Sequence, residues 1–194
     1  MMPSSATFRV VALVTIVAAC GGRSAAVPTS VLGPALTPAA LTGAVAVATQ
    51  RMTAHGQSGL SVGDVKKTRE WFTPALYALL VRDMSDPDGI GYLNWDPFTA
   101  AQDDVGPFRR DSVSQAGDTV MVNFSREGYD HKRLNVRLGM RYENGAWRIA
   151  TFIYPDNPPC HADLARALAR YAGKMADKLP LDSGGCSNRW SGAA

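Results

Sequence analysis

The hydrophobic positions in the first half of the chain repeat with the period of a helix. Thr37-Pro38 is typical of an N-cap followed by the first helical position, and apolar residues then recur at helical spacing until Gly56. A second helix is predicted from about Val62 to Phe72, and a third begins after Thr73-Pro74. The apolar positions that define the first and third helices are Leu41, Val45, Ala48, Met52, Leu76, Leu79 and Leu80.

The period changes to about 2 in the second half, which indicates strands. Strands are predicted over 107–115 and 119–124, and a further one over 134–142 leads into Asn144-Gly145, a pair typical of a two-residue hairpin loop. This loop fixes the register of the hairpin. The predicted partners are Tyr142 with Trp147, Met140 with Ile149, Leu138 with Thr151, and Val136 with Ile153.

The other face of this hairpin is predicted to be basic. It gathers Arg137, Arg141 and Arg148, interleaved with Ala150, Phe152 and Tyr154. Such a face suits contact with an acidic protein, anionic lipid headgroups or peptidoglycan carboxylates. The alternatives are a solvated face along which the arginine stems lie, or a face covered by the last helix.

A closing helix completes the predicted domain. It covers 162–178 after Pro158-Pro159, with Leu164, Leu168, Tyr171 and Met175 on one side. Helices, an antiparallel meander and a closing helix make an α+β domain over 37–178, followed by a tail over 179–194.

The amino terminus has the composition of an export signal. Residues 1–19 carry Arg9 and then a ten-residue apolar run, which is too short to span a bilayer because spanning needs roughly 20 residues. The run ends in Val17-Ala18-Ala19-Cys20, which resembles the bacterial lipobox. That resemblance implies cleavage before Cys20 and lipid on its sulfur; an ordinary secretory signal is the alternative. Residues 20–36 then form a tether of small residues and prolines.

The lipobox resemblance also implies a destination. Gly21 follows the cysteine, where inner-membrane retention is associated with aspartate, so we expect the periplasmic face of the outer membrane of a Gram-negative host. Two or three acyl chains anchor a protein stably. The formal net charge of the whole chain is +3, which is too small for a nucleic-acid-binding domain.

The two remaining cysteines form an even set in an exported chain. We therefore predict a disulfide between Cys160 and Cys186 that ties back the tail, with two unpaired thiols as the alternative. In the chain-entropy model such a bridge contributes about 3 to 4 kcal/mol to stability.

Three segments carry a resemblance to a known family. They are 95–103 (WDPFTAAQD), 73–77 (TPALY) and 145–149 (GAWRI), and together they resemble a family of bacterial envelope proteins catalogued as domain of unknown function 3828. The likeness covers about 62–171 and implies a cone-shaped α+β fold of the nuclear-transport-factor-2-like group. It implies an envelope location but no reaction, because this family has no agreed catalytic residues.

Two classes of function follow. No motif for a nucleophile elbow, a metal, a phosphate or a dinucleotide is present in the sequence, so we expect neither metal nor cofactor. The first prediction is a non-enzymatic binding or accessory module for an envelope protein or peptidoglycan, including inhibitor or immunity roles. The second is a small hydrolase or isomerase that uses an aspartate in the cone pocket. The candidate pocket residues are Trp95, Asp96, Phe98, Gln102 and Asp103.

Overall fold

The computed structural model describes residues 36–55, 61–85, 91–93, 95–101, 106–128, 131–157 and 159–171. The predictions for the leader, Cys20, the tether, Gln102, Asp103, Met175 and the tail with Cys186 lie outside these residues. Within the described ranges, no helix combines the length and the apolar character needed to cross a membrane.

In the described part of the chain three α-helices precede the sheet, as the hydrophobic pattern predicts. They are α1 (Pro38–His55), α2 (Val62–Lys67) and α3 (Pro74–Met84). The Thr37 hydroxyl accepts a hydrogen bond from the Ala40 N–H at 3.2 Å, and the Thr73 hydroxyl accepts one from the Leu76 N–H at 3.3 Å. The predicted N-cap at Thr37 is therefore confirmed, and Thr73 caps the helix that was predicted to begin after Thr73-Pro74.

The second helix is shorter than predicted. It ends at Lys67, where the Thr68 hydroxyl donates to the Asp64 carbonyl at 2.7 Å, and a 3₁₀ turn follows over Arg69–Trp71. After this tighter turn the chain reaches the sheet: Phe72 forms a bridge with Ile149, and the Thr73 N–H donates to the Ile149 carbonyl.

Four antiparallel strands form one sheet in sequence order. They are β1 (Arg109–Ala116), β2 (Thr119–Glu127), β3 (Arg133–Glu143) and β4 (Ala146–Ile153). Helix α1 packs against β2, β3 and β4, and α3 packs against β4. The α+β class is thus confirmed, whereas the cone shape stays a prediction.

The β3–β4 hairpin corrects the predicted register. Asn144 and Gly145 form the loop with positive φ angles of 52° and 80°, and both Tyr142–Trp147 and Met140–Ile149 pair as predicted. Beyond Met140 the register shifts by one residue, because Ala150 is an extra residue in β4. The predicted pairs Leu138–Thr151 and Val136–Ile153 are wrong: the pairs are Gly139–Thr151, Leu138–Phe152 and Arg137–Ile153.

The extra residue Ala150 forms a β-bulge, which changes which side chains of β4 enter the core. A shift of one residue moves every following side chain of a strand to the opposite face. Phe152 is fully buried and Tyr154 is 2 % exposed, so the expectation that both lie among the arginines is wrong. They join the core side chains Ile149, Val136, Leu138 and Met140 instead.

The closing helix is broken into two pieces. Helix α4 covers Pro159–Ala162 and α5 covers Leu164–Tyr171, with Asp163 between them. Asp163 Oδ1 accepts hydrogen bonds from the Thr151 hydroxyl at 2.7 Å and from the Arg166 N–H at 3.1 Å, so it acts as the N-cap of α5. Leu164, Leu168 and Tyr171 are buried as predicted. Cys160 lies in α4, and its predicted partner lies outside the described residues.

Candidate functional site

The predicted pocket residues Trp95, Asp96 and Phe98 come together in one buried turn. Their exposed fractions are 7 %, 9 % and 1 %. Asp96 Oδ2 lies 2.5 Å from His55 Nε2, and Asp96 Oδ1 accepts a hydrogen bond from the Phe98 N–H at 2.8 Å. The Ala100 N–H donates to the Asp96 carbonyl at 2.9 Å, which closes the turn.

His55 is the partner that the sequence reasoning missed. It is the last residue of α1, its side chain is 6 % exposed, and its ring stacks on Phe98 with 4.3 Å between centroids. The signal was present in the spacing, because His55 lies three positions after Met52 and seven after Ala48, on the buried face of the helix.

Aromatic side chains enclose this turn. The Tyr154 hydroxyl donates to the Pro97 carbonyl at 3.1 Å, and Tyr92 packs edge-on against Trp95 with 5.5 Å between centroids. The Tyr92 hydroxyl lies 2.6 Å from His161 Nδ1. Burial raises the pKa of Tyr154 and of Tyr92 well above the usual range, so both phenols stay protonated at neutral pH.

A second buried carboxylate positions the segment that leads into this turn. Asp83, at the end of α3, is fully buried and accepts hydrogen bonds from the Tyr92 and Leu93 N–H groups, each at 2.8 Å. Gly91 packs so closely that a Cβ there would lie 2.4 Å from the Asp83 carbonyl oxygen. The glycine is therefore required by this contact.

The geometry around Asp96 is that of a structural link. Both of its oxygens have partners, and these partners tie the end of α1 to the turn. A histidine oriented by a carboxylate is also the arrangement of a general base. Here, however, the imidazole lies under Phe98 and is almost fully enclosed.

The three predicted arginines lie in three different environments. Arg137 is exposed. Arg141 is paired, because its Nη2 and Nε lie 2.7 and 3.1 Å from Asp118 Oδ2 and its Nη1 lies 3.6 Å from Glu143. The arginines therefore do not form the uniform basic patch that the alternation suggested.

Arg148 turns toward the backbone of the 3₁₀ turn. Its Nη1 donates to the Glu70 carbonyl at 3.0 Å and to the Phe72 carbonyl at 3.4 Å. Donating to two carbonyls fixes the guanidinium at the edge of the sheet.

A surface cavity of about 360 Å³ lies beside Arg148. Arg69 is exposed and its guanidinium stacks over the Tyr77 ring at 5.3 Å. Cation–π stacking orients a guanidinium while leaving its N–H edge free to bind. The residues of the cavity wall are Arg69, Glu70, Phe72, Pro74, Tyr77, Asn144 and Arg148. We define these seven residues as the Arg69–Arg148 cavity.

A third arginine interacts electrostatically with two residues of this cavity wall. Arg51, on α1, lies over the Trp71 ring at 4.8 Å. Burial lowers the pKa of Arg51, and the charge of Glu70 opposes that change while the charge of Arg148 adds to it. The charge of Arg51 therefore interacts with one negative and one positive side chain of the cavity wall.

No protein-family model matches the chain, and no match was found among curated proteins or among solved structures. The resemblance to the envelope family therefore stays a prediction.

Proposed function

We propose that this chain is a lipid-anchored protein at the periplasmic face of the outer membrane, and that its domain is a non-enzymatic module that binds an acidic envelope partner. The observation that carries this proposal is the contrast between two sites. Asp96 is enclosed and both of its oxygens are bonded, whereas the Arg69–Arg148 cavity is open at the surface.

The chemistry of the cavity favours a carboxylate. Guanidinium groups bind carboxylates through paired N–H donors, and Tyr77 and Asn144 add further polar groups to the wall. Pockets of 300–1,000 Å³ are usual for small ligands. A cavity of about 360 Å³ therefore accommodates an acidic side chain of a protein or a carboxylate of a peptidoglycan stem peptide. Inhibitor and immunity roles belong to this class of function.

The hydrolase or isomerase alternative rests on the His55–Asp96 pair. That reaction needs a carboxylate that accepts a proton from a bound substrate, with a reacting atom within hydrogen-bond distance. In the described residues the oxygens of Asp96 face His55 and the Phe98 N–H instead. The binding module is therefore the better-supported function.

Replacing Cys20 with serine tests the anchor. We expect this variant to move from the membrane fraction to the soluble periplasmic fraction, because the serine oxygen cannot take the thioether-linked lipid. The measurement is fractionation followed by immunoblotting, with a Cys160→Ser variant as control. Undiminished membrane binding of the Cys20→Ser protein would refute the anchor.

Photocrosslinking in intact cells tests the binding site. A photoreactive phenylalanine analogue at Tyr77, in the cavity wall, is expected to capture an envelope component. The same analogue at Val113, which is 40 % exposed on edge strand β1, serves as the matched control. Capture from Val113 but not from Tyr77 would place the partner elsewhere and contradict the proposal.

A further inference from the structure

Arg126 is a buried cation, and two of its three guanidinium nitrogens have no hydrogen-bond partner in the described part of the chain. It lies in β2 on the same face as Val122 and Phe124 and is 6 % exposed. Neither its Nε nor its Nη1 has a partner among the described residues. Its guanidinium lies 5.4 Å from the Phe108 ring, which provides a cation–π contact but no acceptor.

Such a burial is energetically unfavourable by itself. A guanidinium loses its hydration when it is buried, and an unbonded charged donor costs more than a neutral one. Burial lowers the pKa of Arg126, and the negative charge of Asp96 opposes this effect. However, Asp96 directs its hydrogen bonds to His55 and Phe98, so it does not bond the Nε and Nη1 donors of Arg126.

Arg126 also forms part of the wall of a second surface cavity. This cavity has a volume of about 340 Å³, and Arg109, Arg133 and His131 line it as well. Asp111 fixes two of these cations, since its Oδ1 lies 3.1 Å from Arg109 Nε and its Oδ2 lies 2.7 Å from Arg133 Nη2. The remaining wall residues are Pro107, Ser125 and Glu127.

The cations of this wall outnumber its carboxylates. The wall contains three guanidinium groups and one carboxylate, that of Glu127, which is bonded to His131. Asp111, outside the wall, pairs only with Arg109 and Arg133 among these cations. Arginines held in place by a carboxylate suit a phosphate group, because its oxygens accept several N–H bonds at once. Because Asp111 already orders Arg109 and Arg133, these side chains lose less conformational entropy when a ligand binds.

We propose that this second cavity binds a phosphate group, with Arg126, Arg109 and Arg133 as its donors. The phosphate accepts the Arg126 hydrogen bonds that the protein leaves unmade, and the guanidinium turns toward the cavity to make them. The group belongs either to free phosphate or to a phosphorylated headgroup. The proposal does not rest on the proposed function, because it concerns a different cavity.

The test is thermal unfolding of the full chain with phosphate and with chloride at equal ionic strength. Inorganic phosphate is expected to raise the Tm of the wild type in a saturable way, as a ligand that binds only the folded state does. Glycerol 3-phosphate serves as the headgroup probe, and a larger rise at equal concentration would assign the site to headgroups; a smaller one would assign it to free phosphate.

Arg126→Met makes the test specific. Without phosphate this variant is expected to be at least as stable as the wild type, because an apolar side chain replaces an unbonded buried charge. It should also lose the phosphate-dependent rise in Tm. The control is Arg110→Met, which removes an exposed arginine outside the cavity wall and should keep the full rise.

A second variant covers the case in which Arg126→Met fails to fold. Arg133→Gln removes a donor whose side chain is 56 % exposed, so it should fold normally. Its phosphate Kd, measured by calorimetry, is expected to rise about tenfold, in line with the loss of one charge-assisted hydrogen bond. An unchanged Kd in Arg133→Gln, an undiminished response in Arg126→Met, or no response of the wild type beyond that to chloride would overturn the proposal.

Discussion

Replacing His55 with alanine is expected to lower the free energy of unfolding by about 3 to 5 kcal/mol. The variant leaves the Asp96 carboxylate buried without the partner that lies 2.5 Å away, and removing the partner of a buried charge has effects of this size. It also removes the ring that stacks on Phe98, so the end of α1 is no longer tied to the turn. Urea denaturation measures this change.

The matched control for this prediction is His131→Ala. His131 also contacts a carboxylate, Glu127, but its side chain is 87 % exposed. Its replacement should change stability by no more than about 0.5 kcal/mol, because solvent screens exposed pairs. If His55→Ala lowered the free energy of unfolding no more than His131→Ala does, the structural role of the His55–Asp96 pair would be contradicted.

Phe152→Ala is expected to have an effect of similar size, a loss of about 3 to 5 kcal/mol. Phe152 is fully buried and packs edge-on against Phe98 with 4.9 Å between centroids. Removal of such a side chain loses transfer free energy and leaves a cavity in the core. Urea denaturation is again the measurement.

The matched comparison for Phe152→Ala is Thr151→Ala, because the two registers differ in which of these two residues lies in the core. The bulge at Ala150 places Phe152 in the core, whereas a regular hairpin register would place Thr151 there. Thr151 contributes hydrogen bonds to Asp163 and from the Ala165 N–H, so we expect a loss of about 1 kcal/mol on its replacement. A larger loss for Thr151→Ala than for Phe152→Ala would contradict the bulged register.

The local chemistry of the chain predicts most of the elements. Thr37 and Thr73 mark helix starts because their hydroxyls accept the first free N–H groups, and this depends on neighbouring residues alone. Asn144-Gly145 marks the hairpin because both residues tolerate positive φ. The register near the loop follows from the loop itself.

The parts that could not be predicted depend on contacts between distant segments. No residue near Ala150 is of a type that predicts a bulge. The bulge is favoured because it brings Phe152 into contact with Phe98. The pairing of Arg141 with Asp118 is equally non-local, since 23 positions separate the two residues. The alternation of residues along one strand therefore overestimates how many arginine side chains of the sheet are available to bind a partner.

The candidate site was predicted only in part for the same reason. The sequence predicts that Trp95, Asp96 and Phe98 belong to one site, but their partner His55 lies 41 positions before Asp96. The alternation along the strand predicts that Arg148 lies at the surface, whereas the cavity beside it also needs Arg69 and Tyr77 from another part of the chain. Helical spacing can assign His55 to the face of α1 that carries Ala48 and Met52, but it does not indicate which residue His55 contacts.

The most direct test of the central claim reverses one charge in the Arg69–Arg148 cavity and, separately, one outside it. Arg69→Glu and Arg137→Glu both replace exposed arginines, so both should fold, and each is combined with the photoreactive analogue at Tyr77. Capture in intact cells should fall at least tenfold in Arg69→Glu and stay unchanged in Arg137→Glu. Equal capture in both variants, or loss only in Arg137→Glu, would contradict recognition of an acidic partner by this cavity.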